Sequence, residues 1–82
     1  MKVDIIIYFE KGYPVKEYVV KNEIMAEAQF DELCEEILQE DWDEFKNTID
    51  YGFKYDEVNR YLKSMGKEIL WLNQVKVNKY KN

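Results

Sequence analysis

Nine of the eighteen residues from Glu27 to Glu44 are acidic and none is basic: Glu27, Asp31, Glu32, Glu35, Glu36, Glu40, Asp41, Asp43 and Glu44. In the wider segment 23–50, eleven acids face one base, Lys46, for a formal charge of −10. The other 54 residues carry six acids and eleven bases, or +5, which recovers the net −5 of the whole chain. Carboxylates at this density serve three kinds of chemistry: metal coordination, paired acid–base catalysis, and display of negative potential to a basic surface.

The first two fit poorly. Glu40-Asp41-Trp42-Asp43-Glu44 is dense in oxygen ligands but lacks the alternating Asp spacing, the glycine and the closing Glu of a calcium loop, so neither a dedicated metal site nor a cofactor is expected. Two carboxylates acting as acid and base must flank a substrate in a concave pocket, which an exposed helix does not offer. The chain has no histidine, which removes the commonest general acid/base and excludes Ser-His-Asp and Cys-His catalysis within it. A non-enzymatic protein is expected.

The third chemistry fits the spacing. Residues four apart share a helix face, so Glu32, Glu36, Glu40 and Glu44 form one row, if the helix continues past Asp41, and Glu27, Asp31 and Glu35 a second beside it. Helix surfaces usually alternate Glu with Lys at this spacing, each opposite pair stabilising by ~0.2–0.5 kcal/mol. The five like-charged pairs here cost about 1–2 kcal/mol before salt screening, a noticeable share of the ~5–15 kcal/mol that holds a small domain together. One reading is a solvated face kept acidic for solubility or neutralised by Arg60, Lys63 or Lys67 of the same molecule. The other is a docking surface for a basic partner protein, with Glu32, Glu36, Glu40 and Glu44 at its centre and Asp31, Glu35 and Asp43 at its edges. In its sharpest form this is nucleic-acid mimicry, since nine carboxylates over a helix give about one charge per 2.8 Å, against ~3.4 Å per phosphate of a DNA strand. The functional expectation is an inhibitor that occupies a basic surface, which on the mimicry reading is a nucleic-acid-binding one.

Length and composition bound the rest. The 82 residues suit one domain spanning 1–82, with 46% apolar residues, one Pro and three Gly arguing for a packed fold. No stretch approaches the ~20 apolar residues of a membrane helix, so no membrane partner is expected. Val3–Phe9 follows one lysine but is interrupted by Asp4 and has no small-residue cleavage site after it, and so reads as a strand, not a signal peptide. The single Cys34, beside Phe30, Leu33 and Leu38 on the apolar side of its helix, points to core packing and a reducing, cytoplasmic compartment. From Lys67 onward four lysines face one glutamate, only +3, and no nucleic-acid-binding motif is present, so direct nucleic-acid binding is not expected. That basic tail set against the acidic helix of another copy gives a homo-oligomer. Seven tyrosines and two tryptophans support a second functional reading, a self-assembling structural module that buries exposed Tyr and Trp, the 51–55 segment foremost, against another copy.

These residues need positioning. Residues 3–9 and 15–20 read as two strands joined by a Lys11-Gly12-Tyr13-Pro14 turn. Asn22 is a good helix cap, and Ala26, Phe30, Leu33 and Ile37 recur at helical spacing. The pattern continues through Trp42, Phe45 and Ile49 as one helix over 23–50, or as two that break near Asp41, where Asp41 and Glu44 resemble a capping box. Gly52 is a stop signal. A shorter helix capped by Asp56 should bury Val58, Tyr61, Leu62 and Met65 and end at Gly66. Residues 68–77 read as a third strand with Ile69, Trp71, Val75 and Val77 on one face. The expected class is α+β, in the order β-β-α-α-α-β: a three-stranded, mainly antiparallel sheet with the first strand central and the helices packed on one face.

In composition, a short acidic chain rich in Lys, Asn, Ile and Tyr resembles accessory proteins of bacteriophages and other mobile elements, some of which inhibit host enzymes or defence nucleases. It is similar in the same way to small immunity proteins that neutralise basic toxins. The resemblance assigns no role to any residue.

Overall fold

The computed structural model describes residues 1–47 and 54–77. Its elements are β1 (Lys2–Glu10), β2 (Tyr13–Val20), α1 (Glu23–Leu38), α2 (Glu40–Lys46), α3 (Lys54–Lys63) and β3 (Lys67–Lys76). The three strands form one antiparallel sheet in the order β2-β1-β3, an α+β fold with the first strand in the centre, as expected.

The β-branched and aromatic run of β1 supplies both sheet faces. Ile6 and Tyr8 point into the core with Ile69 of β3, under Ala26, Phe30, Leu33, Cys34 and Leu38 of α1, Trp42 of α2, and Val58 and Leu62 of α3. All three helices therefore cover the same face. Ala26, fully buried, brings α1 close to the strands. Cys34 is buried among them, and burial, aided by the nearby Asp31 charge, pushes its thiol up to about 12, so at neutral pH it is an inert packing group.

Local chemistry sets the turns. Lys11 (φ 53°) and Gly12 (φ 84°) are both left-handed, as a two-residue hairpin turn requires, so β2 begins at Tyr13 and not at residue 15. A register shift follows, Tyr8 facing Lys16 while Phe9 faces Pro14, which leaves Val15 as a bulge. Asn22 caps α1 as expected, its Oδ1 accepting from the Met25 amide at 2.9 Å.

The long helix breaks at Gln39 (φ 53°), two residues before Asp41, so Asp41 lies in the first turn of α2 and does not cap it. The break has a packing cause. An unbroken helix would carry Asp41, four residues after Ile37 and eight after Leu33, toward the core. Restarting the helix buries Trp42 and leaves Asp41 exposed. Glu40, Asp41 and Asp43 then occupy the first turn of α2, where the helix dipole favours negative charge.

Two further expectations are corrected. In α3, Val58 and Leu62 are buried, but Tyr61 and Met65 are exposed and Lys54 takes an inward position instead; Asp56 lies inside the helix. In β3 the alternation fails after Leu72: Ile5 faces Leu72 while Val3 faces Val75, so one extra residue bulges and Val75 lies on the opposite face from Ile69 and Trp71. The cause is Asp4. Its carboxylate, 1% exposed, accepts from the Gln74 amide, Trp71 Nε1 and Asn73 Nδ2, each at 2.9 Å, and holds Gln74 at φ 53°. Gly52 and Ile49 lie outside the described residues.

Asp4 generates a testable consequence. The Gln74 amide, with Trp71 and Asn73, holds its carboxyl below the usual range against the opposing effect of burial. A carboxyl depressed in the folded state stabilises above the unfolded-chain value of ~3.9 and loses that contribution as pH falls through its folded value. Asp4→Asn is expected to cost about 2–4 kcal/mol at neutral pH, and denaturant melts of the two proteins should converge as pH is lowered below ~4.

Candidate protein-docking surface

The register of α1 divides its acids among three directions. With Ala26, Phe30, Leu33 and Cys34 facing the sheet, Glu27 and Asp31 fall on the flank toward α3, Glu36 on the flank toward β2, and Glu32 and Glu35 on the outward crest. Each flank is tethered by one lysine of the same molecule. Lys54, whose side chain is 8% exposed, donates to Asp31 Oδ1 at 2.6 Å and lies 3.6 Å from Glu27 Oε2. Lys16 of β2 donates to Glu36 Oε1 at 2.6 Å, and that bond raises the lysine above its ordinary range.

The seven residues expected to form the site are therefore not equivalent. Asp31 and Glu36 are tethers between elements, and Asp43 pairs with Lys46 one turn along α2 at 3.3 Å. Glu32, Glu35, Glu40 and Glu44 are exposed and have no basic group within 4.0 Å among the described residues; Glu32 Oε1 accepts from Gln29 Nε2 at 3.4 Å. Exposed Asp41, not among the seven, shares this condition. The break at Gln39 also splits the row, with Glu32 and Glu36 on α1 and Glu40 and Glu44 on α2, so the acids do not form one continuous ladder. Arg60, expected as a neutralising base, instead pairs with Glu57 of its own helix at 3.0 Å.

The concave surfaces lie elsewhere. A cavity of about 500 Å³ is lined by Lys11, Arg60, Lys63 and Lys67 with Asp56, Glu68 and Phe9; a smaller one of about 260 Å³ is lined by Glu23, Tyr55, Trp71 and Asn73. Neither includes any of the seven acids. Among the described residues no group of three or more Cys, Asp or Glu converges as metal ligands, and no helix is long and apolar enough to cross a membrane. Trp42 is buried and stacks on Phe45, and Trp71 is half-buried between Phe30 and Tyr55, so both belong to the packing under the acidic crest. Of the 51–55 segment, Lys54 and Tyr55 open α3, and residues 51–53 lie outside the described residues.

Sequence spacing found the acids but missed Lys54. The signal was one lysine among the apolar positions of the last helix, four residues before Val58, and only its tertiary partners explain it. No family model, no curated protein and no solved structure matches this chain.

Because Lys54 shields two carboxylates at a helix–helix contact, Lys54→Met should destabilise the fold by about 1–3 kcal/mol, read as a lower denaturant midpoint. Lys63→Met, at an exposed position, should leave the midpoint within about 0.5 kcal/mol.

Proposed function

We propose that the protein is a non-catalytic binding module that docks the outward crest of α1 and the exposed side of α2 on a basic surface of a partner protein, acting as an inhibitor of that partner. The observation that carries this reading is the set of five exposed carboxylates, Glu32, Glu35, Glu40, Asp41 and Glu44, without basic neighbours among the described residues, where Lys16 and Lys54 neutralise the flanks. A face kept acidic only as a by-product of folding would have exposed lysines interleaved with these acids, since such pairs are individually favourable. Uncompensated potential of one sign raises association rates with an oppositely charged partner and orients its approach.

The row broken at Gln39 favours a patch that fits a basic protein over a strict imitation of phosphate spacing, so DNA mimicry is the weaker form of the proposal. The other expectation, self-association through exposed Tyr and Trp, draws less support, because both tryptophans pack in or against the core.

The test is capture of partners on the immobilised protein with elution by rising salt. A bound basic protein should elute early, and Glu32→Lys, Glu35→Lys and Glu40→Lys together should lower its affinity at least about tenfold while leaving the circular dichroism spectrum unchanged. Glu36 is kept in that variant because it tethers Lys16. A partner that binds the triple variant as tightly as the wild type would place the docking site elsewhere.

A further inference from the structure

The sheet face turned away from the helices is apolar. Alternation along β1 sends Ile6 and Tyr8 into the core and Ile5, Ile7 and Phe9 the other way. The register sets Val19 and Leu72 on either side of Ile5, and Leu70 beside Ile7. Val19 is 61% and Leu72 38% exposed, and no described helix crosses this face. An antiparallel sheet with one wet face ordinarily alternates apolar-in and polar-out, whereas β1 is apolar on both sides, as a strand covered on both sides is.

We propose that this face binds a second copy of the chain, sheet against sheet, in a twofold-symmetric dimer. Three features select that occupant and geometry. Lateral strand addition is blocked along β3 and hindered at the start of β2. On β3 the Asn59 side chain takes the place of a neighbouring strand, accepting from the Ile69 amide at 2.7 Å and donating to the Ile69 carbonyl at 2.9 Å, and the Trp71 amide donates to Tyr55 Oη at 3.3 Å. On β2, Pro14 and the adjacent bulge interrupt the outer backbone.

Charge selects the face as well. Pairing through the helical layer would bring two acidic segments together. Sheets stack about 10 Å apart and each helical layer lies beyond its sheet, so face-to-face pairing puts the acidic crests on the order of 30 Å from each other, past the ~8–10 Å screening length. Size is adequate for a modest interface. Three strands about 4.8 Å apart, each about eight residues long at ~3.3 Å per residue and presenting every second side chain, give roughly 400 Å² in plan per copy. The relief of interdigitating side chains raises the area of two such faces toward the lower bound of about 1,200 Å² for stable interfaces. Glu17 and Glu68, on the edge strands of this face, fall at the solvated rim.

The dimer does not depend on the docking role of the acidic crest, although it would display two crests on opposite outer sides. Sedimentation of the full chain over a range of concentrations, at low and high salt, tests it. A concentration-dependent dimer that persists or tightens at high salt is expected. Val19→Lys, at an exposed position, should raise its dissociation constant at least about tenfold, and Glu35→Lys on the helical layer should leave it unchanged. Leu72→Lys is the second variant should the first fail to fold. A chain that stays monomeric throughout, a dimer that dissociates as salt rises, or a dimer that survives the folded lysine variants would overturn the proposal.

Discussion

Repulsion among the carboxylates of α1 and α2 is the constraint on which the helical layer is built. Eleven acids in residues 23–50 cannot all be accommodated by local pairing, because that segment contains one lysine. Relief comes from outside it. Lys16 reaches across from β2 and Lys54 from α3, and each fixes one flank of α1 to the element that supplies the base. The two tethers thus do structural work with part of the charge, locating α1 over the junction of β1 and β2 and beside α3. What remains on the crest has no such structural role. This separation turns a compositional bias into a surface with a defined position and direction.

The break at Gln39 belongs to the same logic. It keeps Asp41 out of the core while Trp42 is buried, and it moves Glu40, Asp41 and Asp43 to the start of a new helix, where the dipole offsets part of their repulsion. Trp42 stacks on Phe45, and Phe45 meets the ring of Tyr61 at a tilt, with ring centroids 6.4 Å and 5.2 Å apart. An acidic outer surface and a dense aromatic layer under it are consequences of one change in chain direction.

The element order, the central position of the first strand and the buried Cys34 were legible in the sequence because each is written locally: a β-branched and aromatic run in residues 3–9, apolar on both faces, and 3.6-residue spacing from Ala26 to Ile37. Three features were not. The bulge in β3 depends on a carboxylate about seventy residues away in sequence, so simple alternation along 68–77 puts Val75 on the wrong face. The position of Lys54 depends on two acids of another helix, and nothing in residues 54–63 announces them. A break near Asp41 was one of the two readings of the long helix, but its place at Gln39 depends on a left-handed glutamine, a conformation that no composition rule expects there. For the candidate site, spacing identified the acids, and tertiary pairing then sorted them into those that hold the fold together and those that face solvent.

The claim that the crest is uncompensated can be measured on the unmodified protein, with no partner in hand. Its unfolding midpoint should rise when salt is increased from about 0.01 M to about 0.5 M, because screening weakens the net repulsion among the many carboxylates of the folded state more than it weakens the few pairs that oppose it, of which the Lys54 tether is shielded from solvent. A midpoint that falls with salt would mean that the acids are, on balance, neutralised within the molecule, and it would contradict the account.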